Sequence, residues 1–496
     1  MLLRAGLVSF ALLLASRLLG LLRESVQAAT LGAGAAADVA ILMLTLPDLL
    51  TGVLAAGGLA YVLLPLWARQ TPAGQAASQR QVAQLLLAVG TAAALAVLLL
   101  PGLASRPLAP GLSGAGPSLA HAALRWSALC LPLALLAALW NTRLQHQRDV
   151  LGAYGASLWV NGAVVLALWG AGRWPTVWVQ TLGGGLLLGM LARLLWLRWR
   201  LQRGAAPTDT PARQCPPAAG ASVPPAPVWL WALASAGLPL LLPLVARSLA
   251  SVDSEGALTR FHYAWKLVEL PLVLAVQLVA MLSLPRLARA WADPAADTHG
   301  ARTEALRHAF VLAWVLACAA AAALAGLAPA LAQLLFGWGR MPPDAVAQMA
   351  DSARIGAWTL LPQALLAVLM TLLASTGRLR QAVAAYALAL LVLVLGTAWA
   401  ARWGLPGGAG VMVALNAALL AAALWLLRSE HPRARPALCA RDLLPAAVAA
   451  LAAAAVGARW GLEDRWGGLL QALLLAGSVL GVAWLASPGW RAALRR

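Results

Sequence analysis

The chain has 496 residues, of which 62% are hydrophobic and only 11% charged, with a mean hydropathy of +0.79. A water-soluble globular chain carries roughly 25% charged residues and interrupts its apolar runs far more often, so that class is excluded. The formal charge of +19 lies mainly in short loops between apolar runs, and 23 Trp stand against 4 Tyr and 4 Phe, a pattern of interfacial anchoring rather than of nucleic-acid binding.

Apolar runs of about 20 residues, the length a helix needs to cross ~30 Å of hydrocarbon, recur along the whole chain. The two-residue alternation of a membrane barrel is missing, which leaves helices as the spanning structure. The sequence therefore predicts an all-α integral membrane protein with about 14 spans: 5–29, 36–67, 82–102, 119–142, 151–171, 177–200, 227–250, 261–284, 306–327, 355–376, 379–401, 407–427, 443–461 and 467–487.

The first run imitates a signal peptide, with Arg4, an apolar stretch and small residues near Ala15. Its amphipathic pattern continues through Gln27, which favours a retained helix. Within "SRLLGLLRESVQ" (16–27), Ser16, Arg17, Gly20, Arg23, Glu24 and Gln27 fall on one face at ~100° per residue. An Arg in mid-bilayer costs from ~3 kcal/mol upward, so it faces a partner or a water-filled cavity. Pairing with Glu24 is one reading, but a single carboxylate does not neutralise both Arg17 and Arg23; a cavity is the other. Asp38 stands at the start of the second run, where a carboxylate either caps the helix or stands as a gate on the outer side.

The longest break, 203–226, is rich in Pro, Ala and Gly and reads as a cytoplasmic linker. It sets a division into a six-helix bundle (1–202), the linker (203–226), a second six-helix bundle (227–430) and two further spans (431–496). One set of alternate loops holds most of the arginines, among them Arg69, Arg80, Arg143, Arg148, Arg198, Arg200, Arg378 and Arg433. By the positive-inside rule both termini are cytoplasmic, as an even number of spans requires.

The halves echo each other weakly. "LPDLL" and "LLPLWAR" (46–50, 63–69) precede the linker, and "LPLVL" and "SLPRLAR" (270–274, 283–289) follow it. Either this is chance among Leu-rich helices, or it marks a parallel repeat with a substrate site between the halves. Span eight carries the second polar face: His262, Lys266, Glu269 and Gln277, with Lys266 the only lysine in the chain. Lys266 and Glu269 at i,i+3 either pair locally or line the same cavity as the first stripe.

Cys130, Cys215, Cys318 and Cys439 are scattered without metal-ligand spacing. The outer acids Asp253, Glu255, Glu463 and Asp464 have no ligand-spaced partners, so no enzyme and no cofactor is expected.

The segment 16–50, "SRLLGLLRESVQAATLGAGAAADVAILMLTLPDLL", resembles the opening of the MurJ/MviN family of lipid II flippases in the MOP exporter superfamily. "YAWKLVELPLVLAVQLVAMLSLPRLAR" (263–289), "LAQLLFGWGRM" (331–341) and "LNAALLAAALW" (415–425) are similar to later family segments. The resemblance implies two six-helix bundles around a cationic central cavity plus a C-terminal helix pair. It implies cavity roles for Arg17, Arg23, Lys266 and Glu269, and gating roles for Asp38 and Glu24. Implied too are lipid II as cargo, a multi-pass location in a bacterial cytoplasmic (inner) membrane, a monomer, and cell-wall synthesis proteins as potential partners.

The chain departs from the family at Thr51 and Gly52, where members often carry an Arg, and at Lys266, usually Arg. Residues 227–250 and 379–401 hold no Asp or Glu, so a sodium site is not expected and the energy source is the membrane potential or another ion gradient. The alternative cargo is another polyprenyl-pyrophosphate-linked glycan, an O-antigen or exopolysaccharide intermediate.

Overall fold

The computed structural model describes residues 2–54, 58–114, 116–203, 224–273, 300–405, 407–457 and 465–494, with isolated positions 279, 283, 287 and 291. Among them every element is helical. The first ten are α1 (Leu2–Leu31), α2 (Ala35–Val53), α3 (Ala60–Trp67), α4 (Pro72–Leu99), α5 (Pro101–Leu108), α6 (Gly116–His146), α7 (Val150–Arg173), α8 (Trp178–Arg203), α9 (Ala226–Ala250) and α10 (Ala257–Pro271). Then come α11 (Ala301–Phe336), α12 (Pro343–Gly356), α13 (Leu360–Thr376), α14 (Leu379–Arg402), α15 (Gly407–Ser429), α16 (His431–Ala434), α17 (Ala440–Gly457), α18 (Arg465–Ala486) and α19 (Pro488–Leu494).

Twelve helices among the described residues are long and apolar enough to cross a membrane, and they coincide with 12 of the 14 expected runs. The other two runs fall on α1, which at 30 residues measures about 45 Å, and on α10, whose expected continuation lies largely outside the described residues. Leu99 (76% exposed) and Leu485 (77%) typify apolar surface that water would not tolerate at this density. This is a multi-pass membrane protein.

The chain groups into two compact units, Met1–Leu241 and Leu242–Arg496. In the first unit α2 packs on α6, α6 on α4 and α8, and α7 on both α1 and α8. Small residues set the α7–α8 distance: a Cβ on Gly185 would collide with Ala167, and one on Gly189 would lie 3.0 Å from Val160 Cα. Such close approach is the main attraction available to helices whose surroundings are as apolar as they are. In the second unit α11 carries α17 and α18 on a core that includes Val315, Cys318, Ala450, Leu475 and Val479. Buried Asp442 binds that core to the C-terminal turn by accepting hydrogen bonds from Arg307 Nε (2.9 Å), Ser487 Oγ (3.1 Å) and Gly489 N (2.8 Å).

The second expected span falls on α2 and α3, and next to Gly58, Leu59 N–H donates to Leu54 O at 3.1 Å, five residues back, a π-type bond. Gly58 permits it, because a Cβ there would sit 2.9 Å from Val53 O and 2.8 Å from Leu233 Cδ2. Cys215, Gln277, Glu463, Asp464 and most of the second echo segment lie outside the described residues.

Several arginines of the basic loops serve as anchors. Asp149 caps α7 through Gly152 N (2.9 Å) and is gripped by Arg200 at 2.9 and 2.6 Å. Glu430, fully buried, binds Arg378 and Arg433, each at 2.8 Å. Arg143 lies over Trp67, 5.1 Å from the ring centre, and Arg203 over Trp199 at 4.0 Å.

Candidate functional site

Pro47 decides how α2 presents its polar residue. Proline has no N–H, so Met43 O loses its usual helical donor. Ser127 Oγ on α6 donates to that carbonyl instead, within a fully buried contact. This fixes α2 on α6 directly before Asp48. The carboxylate of Asp48, 47% exposed, accepts from Arg23 Nη1 at 3.3 Å. Arg23 Nη2 donates to Glu24 Oε1 at 2.7 Å, and Glu24 is 3% exposed. Arg23 sits about 12 Å along α1 from its last residue, well inside the helix.

Three further polar groups of this unit are buried without hydrogen-bond partners at named atoms. Gln27, one turn along α1 from Arg23, is fully buried, and neither its Nε2 nor its Oε1 has a hydrogen-bond partner. Thr51 Oγ1, one turn beyond Asp48, is likewise buried without a partner. Arg193 on α8 is 9% exposed, its Nε has no partner, and its charge interacts with Asp48 at longer range. Gly189, one turn earlier, holds this part of α8 against α7.

The predicted stripe on α1 is therefore divided. Arg23, Glu24 and Gln27 turn inward, whereas Arg17 is exposed, and Ser16 Oγ lies 2.6 Å from Ser157 Oγ of α7. Asp38 is 4% exposed in the first turn of α2, where Gly34 occupies the N-cap position. It lies about 15 Å along α2 from Asp48 and outside that charge cluster.

The second unit has its own cluster. Lys266 Nζ donates to Glu269 Oε2 at 2.8 Å, with the side chains 28% and 29% exposed. One turn back, His262 Nδ1 lies 3.1 Å from Arg247 Nη1 of α9, itself buried. Tyr263 stacks on Phe336 with ring centres 4.7 Å apart and sets the rotation of α10 against α11. Lys266 and Glu269 thus form the local pair that their spacing allows. Among the described residues no three His, Cys, Asp or Glu side chains gather as a metal site requires.

Sequence reasoning missed Asp48, Arg193 and Arg247 as members of these clusters. Asp48 was read only as part of the "LPDLL" echo (46–50). Arg193 and Arg247 each stand alone in an apolar run, and an unexplained charge in a span is itself a functional signal.

Both clusters place cations inside apolar helices, partly neutralised by carboxylates. Such a site suits an anion that must leave water without entering hydrocarbon.

A solved lipid II flippase MurJ in an inward-closed conformation superposes with a TM-score of 0.81 at 15% identity, covering 99% of this chain and 100% of that one. An inward-facing MATE-family multidrug transporter of the MOP superfamily matches at 0.64 and 16%, covering 85% and 95%. A MOP superfamily transporter from Pyrococcus furiosus matches at 0.62 and 15%, covering 87% and 95%. At such identities these likenesses concern the fold. Comparison with curated protein sequences gives no match. The family model for the lipid II flippase MurJ, however, matches residues 27–476, nearly the whole length, and so the chain belongs to the MurJ lipid II flippase family.

Proposed function

We propose that this protein carries lipid II from the inner to the outer leaflet of a bacterial cytoplasmic membrane by alternating access. The observation that carries the reading is Arg23, a guanidinium deep in an apolar helix and held by Glu24 and Asp48, in a chain of the MurJ family. A pyrophosphate competes with those carboxylates for the guanidinium through short, charge-assisted hydrogen bonds. Arg17 and Lys266 add charge, and Glu269 returns Lys266 to a neutral pair once cargo departs. Glu24 plays the same part for Arg23, and Asp38 serves as the outer gate. The polyprenyl tail stays in lipid throughout.

Transport of this kind makes and breaks no covalent bond and needs no cofactor. With the inside negative, outward transfer of one negative charge gains ~2.3 kcal/mol per 100 mV, and the membrane potential or an ion gradient is the energy source in this reading. The arginines of the alternate loops support cytoplasmic termini in this reading. The unit working alone is a monomer, next to the enzymes of cell-wall synthesis.

The test is rescue of a bacterium depleted of its own lipid II flippase, with membrane abundance checked by blot. Wild type is expected to restore growth, and Arg23→Ala, Asp38→Ala and Lys266→Ala to fail at equal abundance. A well-expressed wild type that does not rescue would redirect the assignment to another polyprenyl-linked glycan. Variants that rescue as well as wild type would remove these side chains from transport.

A further inference from the structure

The charges inside the first unit are not equally committed. Arg23 is engaged twice, by Glu24 at 2.7 Å and Asp48 at 3.3 Å. Arg193 is 9% exposed, and among the described residues its side chain forms no hydrogen bond and no close ion pair. It lies about 15 Å along α8 from Arg203, further than an extended side chain reaches, so it does not snorkel to the helix end. A buried guanidinium that serves structure is held by carboxylates or carbonyls, because five donors taken out of water need acceptors. Arg193 has only the longer-range field of Asp48.

The same unit holds other unspent hydrogen-bonding capacity. The Gln27 amide is fully buried and unpartnered at both ends, and the Thr51 hydroxyl is buried without a partner. Arg23 Nε is also buried and unpaired. Packing alone does not account for a guanidinium, an amide and a hydroxyl left in this condition, since each costs stability where it stands. A ligand with several acceptor oxygens accounts for the guanidinium.

We propose that Arg193 is an anion-binding residue of the first unit, taking a phosphate oxygen of a polyprenyl pyrophosphate. The assignment rests on the reading given under Proposed function and extends it to a residue outside the predicted polar stripes. For Arg23 to bind an anion, Glu24 or Asp48 must first let go. Arg193 requires no such displacement, so it is the earlier contact, and Asp48 moderates its field enough for the anion to leave again.

The experiment uses the full-length protein in nanodiscs, with undecaprenyl pyrophosphate as the probe. Binding and unliganded melting temperature are measured for wild type, Arg193→Gln, Arg193→Lys and Asp48→Asn. Arg193→Gln is expected to bind about tenfold more weakly or worse, the loss of one charge-assisted hydrogen bond. Its melting temperature is expected to equal or exceed that of wild type, because an unpaired buried charge has been removed. Arg193→Lys should bind within about threefold of wild type, since it keeps the point charge without the fork. Asp48→Asn should bind more tightly than wild type. If Arg193→Gln binds as wild type does, or melts markedly lower while Arg193→Lys fails to restore binding, the assignment is overturned. If wild type itself does not bind the probe, the pyrophosphate reading under Proposed function falls together with it.

Discussion

Replacing Arg23 with Ala confounds transport with folding unless the carboxylate beside it is treated at the same time. The Glu24 side chain is 4% exposed, so loss of its guanidinium leaves a buried charge without that partner, a change that costs about 3–5 kcal/mol. The Asp48 side chain is 47% exposed and hydrates when released, which adds at most about 1 kcal/mol. Arg23→Ala is therefore expected to lower stability by roughly 3–5 kcal/mol, nearly all of it through Glu24. In Arg23→Ala/Glu24→Gln the buried carboxylate that lost this guanidinium is gone too, and the double variant should recover most of the loss. The assay is thermal unfolding of purified protein in nanodiscs, followed by rescue of a flippase-depleted strain at matched abundance. The double variant should be stable yet unable to rescue, which separates the two roles of Arg23. A single variant as stable as wild type, or a double variant no more stable than the single, would refute the claim that this pair is buried and coupled.

Asp442→Ala removes the acceptor for Arg307, Ser487 and the Gly489 N–H at a fully buried position. It should destabilise the second unit by about 3–5 kcal/mol and expose α19 first to proteolysis, whereas Arg307→Ala, at a side chain 43% exposed, should cost distinctly less. Ser127→Ala leaves Met43 O without a donor at Pro47 and should cost about 1–3 kcal/mol, read as a lower melting temperature with unchanged topology. Burial draws the Asp149 carboxyl upward, but the Arg200 guanidinium and the Gly152 N–H prevail and hold it below the usual carboxylate range. Its stabilisation is therefore present at neutral pH, above the unfolded carboxylate value of about 4, and disappears as pH falls through the lower folded value. The melting difference between wild type and Asp149→Asn should be constant from neutral pH to about 5 and close at more acid pH; a difference independent of pH down to about 3 would contradict it.

The sequence by itself determined the class, the family and most of the spans. These depend on local quantities: the length of each apolar run, the arginines in the loops, and a stretch such as "SRLLGLLRESVQ" whose residue order survives in the chain whatever it packs against. It also determined that Arg23 and Lys266 stand on polar faces, because helical spacing alone places them there. The tertiary structure alone decided which charges meet. Asp48 reaches Arg23 across 25 positions because Pro47 frees a carbonyl that Ser127 of another helix satisfies. Arg247 meets His262 because α9 turns back onto α10. The close approach of Gly58 to Leu233 is a contact no local window contains. Arg17 and Arg23 share one helix face in the sequence, yet one is exposed and the other largely enclosed, with 11% of its side chain exposed. Helical period sets the direction of a side chain, and only the neighbouring helices set what it faces.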